Sequence, residues 1–302
     1  MLLIRLLSTI AHPSLLLTSS TRVAASPVMA IAPQFDSASD FSEGLALVQR
    51  GDRFQYVDRQ GKVAVSPEFE FESYSPFWEG LAIVKAGATY GYINRQGRVA
   101  IAAQFNSASR FFEGLASVRF NKNVGFINRQ GEVVIKPQFQ LTSGFSEGLA
   151  AVKVEQKYGY IDPKGKLIIQ PKFTDGSRFS QGSAAVKIGD RWGYIDKTGK
   201  IIFRPQFDGA FHFSESIARV RSGDRWGYIN TKGRVIIPPR FSFASDFSDG
   251  LALVQIDEKW GYSDKTGKLA IAAKFEFASD FREGLAPVKL NGNGDLSILR
   301  AK

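Results

Sequence analysis

The chain of 302 residues has no cysteine and only two histidines, His12 and His212. The absence of cysteine excludes disulfides, thiolate zinc sites, iron–sulfur ligation and cysteine nucleophiles. Two histidines are too few for a multi-histidine metal site, and they leave little scope for histidine acid–base catalysis. The sequence also lacks a Walker loop, an EF-hand loop and a His-Glu-x-x-His helix. We therefore predict no metal, no cofactor and no catalytic residue, and we expect that the protein is not an enzyme.

Acidic residues are missing from the first 34 positions, since Asp36 is the first acid. Arg5 lies among interrupted leucine clusters, and Val23, Ala24 and Ala25 supply the small residues that signal peptidase requires. We interpret residues 1–25 as a leader and expect an exported, periplasmic or extracellular protein. An organelle transit peptide, or a disordered tail on a cytoplasmic protein, fits the same composition. No apolar run reaches the length of about 20 residues that a membrane span needs, so we predict no transmembrane span.

Residues 26–302 form one predicted domain, because a single sequence unit recurs throughout it. The tripeptide Gly-Leu-Ala or a close variant returns after 36 residues once and after 34 residues thereafter, with Ser216 in place of one Gly. The Gly positions are Gly44, Gly80, Gly114, Gly148, Gly182, Gly250 and Gly284. A fixed period of this length is typical of repeat architectures.

Each unit contains three segments with strand character. Strand a follows the Gly, strand b contains residues such as 192–195, and strand c is a short apolar segment such as 201–203. In strand a, Ala46 and Val48 recur in every unit while the residue between them varies, which predicts one buried face and one free face. Tight turns with Asp or Asn first and Gly fourth join strands b and c, and such links connect antiparallel neighbours. We predict an all-β fold of three-stranded meanders.

The two ends of the array complement each other. An isolated copy of strand c lies at residues 28–32, and an isolated strand a and a degenerate strand b lie at 285–290 and 296–299. If the ends meet, they complete a unit and remove exposed sheet edges. We expect a propeller-like closed toroid of seven or eight units, with an open β-solenoid as the alternative.

These motifs resemble the bacterial WG-repeat family, named for Trp-Gly followed by Tyr-Ile-Asp and a Gly-Lys turn. The match is close at residues 192–196, 226–230 and 260–264 and covers about residues 28–290. Tyr90 and Tyr158 keep an aromatic residue, whereas Val124 does not, and Gln55 replaces the Gly. The resemblance implies a β-rich repeat protein, often exported or envelope-associated, with no common enzymatic activity or ligand.

Acidic side chains recur immediately before the Gly-Leu-Ala position, at Glu43, Glu79, Glu113, Glu147, Glu215, Asp249 and Glu283. We predict that these carboxylates accept turn N–H groups or pair with a neighbouring Lys or Arg. Trp192, Trp226 and Trp260 are expected to pack in the core because other units place Phe, Tyr or Val there. Trp78, in the longer loop where other copies have Ser or a similarly small residue, and His212, in the unit that departs most from the repeat, are weaker candidates for ligand contact.

Basic residues concentrate in the turns between strands b and c. We predict that these turns form a candidate anion-binding rim, because equivalent turns of a repeat protein lie along one edge. The rim comprises Arg59, Lys62, Arg95, Arg98, Arg129, Lys164, Lys166, Lys197, Lys200, Lys232, Arg234, Lys265 and Lys268.

The whole chain carries 39 Lys and Arg against 29 Asp and Glu, a formal net charge of +10. This excess and the rim favour a non-enzymatic binding or scaffold protein whose partner is a protein or an anionic polymer, such as a glycan or a surface of lipid headgroups. A carbohydrate-active propeller-type enzyme is the alternative. Nucleic acid is an unlikely partner because exposed aromatic residues do not alternate with the basic ones.

Overall fold

The computed structural model describes residues 35–39, 41–281, 284–290 and 296–300. We divide them into eight units, each opened by a Phe: 35–70, 71–104, 105–138, 139–172, 173–206, 207–240, 241–274 and 275–300. The described residues form thirty β-strands and no helix, and none of them therefore belongs to a membrane-spanning helix. The prediction of an all-β repeat fold is confirmed.

The strands of the first half are β1 Ser37–Ala38, β2 Ala46–Arg50, β3 Arg53–Val57, β4 Val63–Val65, β5 Ser73–Tyr74, β6 Leu81–Ala86, β7 Thr89–Asn94, β8 Val99–Phe105, β9 Ser107–Ala108, β10 Ala116–Phe120, β11 Asn123–Ile127, β12 Val133–Phe139, β13 Leu141–Ser146, β14 Leu149–Val154, β15 Lys157–Ile161 and β16 Leu167–Phe173. Those of the second half are β17 Asp175–Gly176, β18 Ser183–Ile188, β19 Arg191–Asp196, β20 Ile201–Phe207, β21 Gly209–Ala210, β22 Ile217–Ser222, β23 Arg225–Asn230, β24 Val235–Phe241, β25 Phe243–Ala244, β26 Leu251–Ile256, β27 Lys259–Asp264, β28 Leu269–Ala278, β29 Leu285–Leu290 and β30 Leu296–Arg300.

The first six units form four-stranded antiparallel sheets, not the predicted three-stranded meanders, and the strands of units 7 and 8 form one six-stranded sheet. Strands a, b and c are present as predicted, and the extra strand comes from the connector that precedes strand a. In unit 5, Asp175 and Gly176 of the connector pair with Lys187 and Val186 of strand a. A strand of two residues is too short for a period-2 pattern, so the sequence pattern did not reveal it. Strand β28 continues from unit 7 into unit 8 and thereby joins strands β25–β30 in a single sheet.

The hydrophobic core lies between successive units and not within any one of them. Tyr160 and Ile169 of unit 4 pack in one buried cluster with Phe179, Ala184 and Val186 of unit 5. The middle residue of strand a in unit 5, Ala185, is also fully buried and packs in the next cluster along, with residues of unit 6. The prediction of a free face on strand a is therefore wrong, because each inner sheet is covered by a neighbour on both faces.

Tyrosine hydroxyls add hydrogen bonds across the same interfaces. Tyr160 Oη donates to the carbonyl oxygen of Ser177 in the next unit, at 2.9 Å, and Tyr262 makes the equivalent bond to Ser279 at 2.7 Å. Burial raises the pKa of the Tyr262 hydroxyl to about 12. At neutral pH these hydroxyls therefore stay protonated and act as donors.

Glycine in strand b allows strand c to be longer than predicted. A Cβ atom on Gly193 would lie 2.5 Å from the carbonyl oxygen of Phe203 and 2.8 Å from the nitrogen of Pro205. Strand c crosses close over this position, where its register with strand b shifts, and continues until Phe207 pairs with Trp192. The Trp-Gly pair is thus a backbone crossing point that excludes any side chain.

Unit 1 has no such glycine, and its strand c is correspondingly short. Gln55 occupies the position, β4 ends after three residues at Val65, and its pairing with β3 goes no further than Tyr56. The two additional residues of this unit fall in the loop that follows. That loop and Gln55 line a shallow cavity. A side chain at this position and an irregular strand c therefore occur together.

The predicted closure of the ring involves residues 28–32, which lie outside the described residues. Among the described strands, no hydrogen-bonded pair joins the first sheet, β1–β4, to the last one. At the far end, β30 pairs with β29, its neighbour in sequence.

Candidate functional site

The turns between strands b and c have the predicted geometry. In unit 5, Asp196 Oδ1 accepts hydrogen bonds from the backbone N–H groups of Thr198 and Lys200, at 2.9 and 3.1 Å. Gly199, the fourth residue, has a φ of 82°. A hydrogen bond from the Thr198 hydroxyl is the main cause that lowers the pKa of Asp196. The Asp and Asn side chains of these turns are therefore structural, and Asn230 accepts the same pair of bonds in unit 6.

The thirteen predicted rim residues are all exposed. They divide into two rows by position in the turn. The ladder row follows the Asp or Asn directly and consists of Arg59, Arg95, Arg129, Lys197 and Lys265. The open row lies further along the turn and consists of Lys62, Arg98, Lys164, Lys166, Lys200, Lys232, Arg234 and Lys268.

A ladder of carboxylates lies at the same end of the sheets as the rim. Glu147 has a φ of 54° and Gly148 a φ of 82°, the left-handed pair of a tight hairpin turn. Glu147 Oε2 accepts the N–H of Gly182 in the next unit at 3.0 Å, and the other described acids of the set make the equivalent bond. In unit 5, Gln181 makes it with an amide oxygen. The prediction that these carboxylates accept turn N–H groups is confirmed.

The ladder row is partly neutralised by these acids, whereas the open row is not. Lys197 Nζ lies 3.3 Å from Glu147 Oε2, and Lys265 Nζ lies 2.9 Å from Glu215 Oε2. Within the described residues, Arg98 is the one member of the open row with an ion pair, to Glu68. The sequence did not distinguish the two rows, because the partners of the ladder row belong to the adjacent unit.

Replacing Glu147 tests the role of the ladder. Burial opposes ionisation of Glu147, but the Gly182 N–H and Lys197 outweigh it and lower its pKa below the ordinary value of 4.5. The carboxylate therefore stabilises the fold above about pH 4.5, and this contribution is lost as the pH falls through the lowered pKa. We expect Glu147→Ala to cost about 1 kcal/mol at pH 7 and Glu147→Gln less, because Gln181 already makes this bond. Urea unfolding of the two variants and the parent at pH 7 and pH 3 measures these losses. If the stability of Glu147→Gln falls between pH 7 and pH 3 by as much as that of the parent, the assignment is contradicted.

Apolar side chains lie beside the open row on strand c, which is the edge strand of the first six sheets. Those that are strongly exposed are Val63, Val99, Val133, Val134, Ile168, Ile201, Ile202 and Val235. Proline follows in several of these strands, as at Pro137 and Pro171, and proline is typical of sheet edges. In five of these six sheets, the strand-c edge thus presents an exposed basic side chain followed by exposed apolar ones.

Two aromatic residues replace the serine that most other units have at the same position, and they form a partly exposed patch. Trp78 and Phe112 occupy positions where Ser180 and its equivalents donate to a carbonyl of the next unit. Trp78 is 36% exposed, and the guanidinium of Arg110 lies 4.1 Å from its ring centroid. Trp78 was the predicted candidate for contact, whereas Phe112 and Arg110 were missed because their role depends on packing between units.

His212 belongs to a mixed-charge cluster. Its Nε2 lies 3.6 Å from Asp246 Oδ2, and the Asp246 carboxylate also pairs with Arg219 Nε at 2.9 Å. Burial lowers the pKa of His212. The charges of Arg178 and Arg219 lower it further, whereas the Asp246 carboxylate raises it. His212 is thus neutral at pH 7 beside a fixed ion pair.

The predicted core packing of the repeat tryptophans holds in part, because each of them is half-buried: Trp192, Trp226 and Trp260.

Comparison with known proteins identifies the repeat. A family model described as "WG containing repeat" matches residues 28–54, 56–88, 90–123, 125–158, 158–192, 192–226, 226–260 and 260–293. A search of curated proteins finds no match.

Solved structures resemble the fold at low sequence identity. A structure titled as that of the eukaryotic initiation factor is 13% identical, covers 88% of this chain and 86% of its own, and has a TM-score of 0.61. AztD from Citrobacter koseri is 13% identical over 77% of this chain and 84% of its own, with a TM-score of 0.46. Hsv2p from Kluyveromyces lactis is 10% identical over 88% of this chain and 98% of its own, also with a TM-score of 0.46. At these identities the first structure indicates a shared fold and nothing about function.

Proposed function

The chain belongs to the WG containing repeat family, and from this premise we propose that it is a non-enzymatic binding protein that holds an anionic polymer along its open row. Cationic side chains return there in six of the first seven units, at the period of the repeat itself. A polymer with regularly spaced negative charges can engage several of them at once. The repeated exposure of the open row supports this function, as does the finding that among the described residues only Arg98 of that row forms an ion pair.

The position of the open row favours an extended ligand over a compact one. In units 1, 2, 4, 5 and 6 a cation directly precedes strand c, the edge strand of the sheet, and exposed Val or Ile side chains follow it. A ligand that contacts one unit can therefore continue onto the next. Multivalent contact of this kind gains affinity from weak individual sites, and its electrostatic part falls with added salt.

Acidic residues supply structure here and not catalysis. The Glu147 set accepts backbone N–H groups, the Asp196 set holds turns, and Asp246 is paired with Arg219. This use of the carboxylates favours binding over the alternative of a carbohydrate-active enzyme. Incubation with alginate followed by size analysis separates the two, since the proposed binder leaves the polymer length unchanged.

A pair of matched variants tests the binding surface. The open-row variant changes Lys166, Lys200, Lys232, Arg234 and Lys268 to Gln, and the ladder-row control changes Arg59, Arg95, Arg129, Lys197 and Lys265 to Gln. Both lose five charges. At about 150 mM salt, where screening acts beyond about 8 Å, we expect the open-row variant to bind immobilised alginate at least tenfold more weakly than the control. Equal binding by the two variants eliminates the open row as the surface.

The class of polymer is resolved in the same assay. Alginate represents anionic glycans, vesicles of phosphatidylglycerol represent lipid headgroups, and duplex DNA represents nucleic acid. We expect alginate to bind most tightly, because a flexible polyuronate can follow successive units. Tighter binding to vesicles or to DNA contradicts the assignment to a glycan.

We also propose that the array closes into a ring and that the protein is exported. The complementary ends of the repeat pattern support closure, and the acid-free segment 1–34 supports export. The cysteine-free chain allows spin labels at introduced Met29→Cys and Ser297→Cys positions, and closure requires a separation of about two strand spacings or less. A broad, long distance distribution contradicts closure. An intact leader on protein recovered from the source cells contradicts processing during export.

A further inference from the structure

Unit 6 departs from the repeat at neighbouring positions that line one cleft. The cleft has a volume of about 480 Å³ and lies between units 5 and 6. Gly209, Phe211 and His212 of unit 6 line it, and in unit 7 the equivalent positions are Phe243, Ser245 and Asp246. A cleft of this size is typical of small-molecule sites.

Gly209 provides no side chain at the position where unit 7 packs a phenylalanine ring against its tryptophan. In unit 7, the ring of Phe243 packs 5.2 Å from the ring of Trp260 in an edge-on contact. The equivalent residues in unit 6 are Gly209 and Trp226, so position 209 contributes no ring there, and the Arg221 side chain lies beside Gly209 with its guanidinium 5.9 Å from the centroid of Trp226. Trp192 of unit 5 also lines the cleft. Two half-buried indoles thus contribute to one cavity, which presents mostly apolar surface.

Packed side chains support the aromatic wall. Phe211 lies 5.5 Å from Trp226 between ring centroids, and the guanidinium of Arg219 packs 4.0 Å from the centroid of Phe211. Arg219 is itself fixed by Asp246 and by a hydrogen bond of 2.9 Å from its Nη1 to the carbonyl oxygen of Ala244. A wall with this support is preorganised for a ligand.

Polar groups are present alongside the aromatic wall. Asp175, Asp208 and Arg221 line the cleft. One carboxylate oxygen of Asp208 accepts the Gly223 N–H and the other pairs with Arg191, which orients the group. Within the described residues Arg221 forms no ion pair, and its guanidinium lies 5.9 Å from the ring centroid of Trp226, at the wall of the cleft.

We propose that this cleft binds a pyranose ring of an oligosaccharide. The C–H face of a pyranose carries weak positive charge and packs on the negative face of an indole. Its hydroxyl edge both donates and accepts, which matches the carboxylate of Asp175 and the guanidinium of Arg221. The cleft lies where strands a and b meet their connecting turn, at the opposite end of the sheets from the open row. It is therefore a second site, independent of the proposed polymer surface.

Fluorescence titration of the full chain with cellotetraose, chitotetraose and maltotetraose tests the site, with adenosine as a planar aromatic control. We expect at least one tetrasaccharide to change tryptophan emission with a Kd on the order of 0.1–1 mM. Gly209→Phe, which copies Phe243, is expected to raise that Kd at least tenfold. Gly209 does not have the positive φ that would strain a side chain, and a Cβ atom there would lie 3.3 Å from Arg221 Cβ, a tight contact that a shift of the Arg221 side chain must relieve. Trp260→Ala, the matched control in unit 7, is expected to leave the Kd unchanged.

The outcomes separate this site from the open row. Alginate binding by Gly209→Phe should equal that of the parent protein, and an unchanged melting temperature shows that the variant is folded. Three results overturn the proposal: no tetrasaccharide binds at about 10 mM, ten times the weakest expected Kd; adenosine binds more tightly than every sugar; or Gly209→Phe binds sugar as well as the parent.

Discussion

Gly193→Ala is expected to lower the free energy of unfolding by about 3 kcal/mol, at the upper end of the cost of overpacking. The new methyl group would lie 2.5 Å from the carbonyl oxygen of Phe203, and the atoms it meets are backbone. A flexible side chain could move aside, but strand c is fixed by its pairing with strand b. Relief therefore requires strand c to separate from strand b, as at Gln55 in unit 1.

The control for this variant is Gln55→Ala, at the equivalent position of unit 1. Strand c already diverges there, so we expect a change of about 0.5 kcal/mol or less, typical of a surface substitution. Urea unfolding followed by circular dichroism measures both. If Gly193→Ala is as stable as the parent chain, the crossing point does not explain the Trp-Gly pair.

Phe179→Ala is expected to cost about 3–5 kcal/mol, the usual range for loss of a buried aromatic side chain. Phe179 is 1% exposed and its ring lies 5.0 Å from that of Tyr160 in the preceding unit. The cavity would open between units 4 and 5, where the two sheets depend on each other for burial. In repeat proteins a loss at one interface weakens the coupling of the two flanking segments.

Phe277→Ala is the matched control, because Phe277 is 48% exposed. We expect it to cost less than about 1 kcal/mol. The same unfolding experiment compares the two phenylalanines. Equal losses would mean that burial between units is not the main source of stability.

The sequence predicts the parts of the fold that depend on local chemistry. Tight turns such as that at Asp196 and the recurrence of Ala46 and Val48 locate strands a and b and their antiparallel order. The acid before each Gly correctly indicates a structural carboxylate. These features repeat in each unit, so one physical explanation accounts for all copies.

What the sequence pattern missed depends on contacts between units. The free face assigned to strand a is covered because another sheet packs there, and Ala185 shows no local sign of it. The connector strand of residues 175–176 is stabilised by pairing with strand a and has too few residues for a pattern. The two rows of the rim differ through Glu147 and Glu215, which lie in preceding units. Strand c is longer than its apolar segment because Gly193 lets it cross.

The candidate sites also divide into one that local sequence predicts and one that depends on contacts between units. The rim could be predicted because turn positions are exposed in any fold with this repeat. The cleft of unit 6 could not, because Gly209 matters only beside Trp226. A comparison of Gly209 with Phe243 in the aligned units was the available signal. In a repeat protein, departures at equivalent positions are therefore as informative as the consensus.

Binding distributed over equivalent units is the central claim, and stepwise removal of the open row measures it most directly. Lys62, Lys166, Lys200, Arg234 and Lys268 are changed to Gln one at a time and then cumulatively, and the Kd for alginate is measured at fixed salt. The account predicts similar small losses at each step, so that log Kd rises almost linearly with the number of charges removed. A single substitution that accounts for most of the loss would contradict it, because that result places the ligand in one local site.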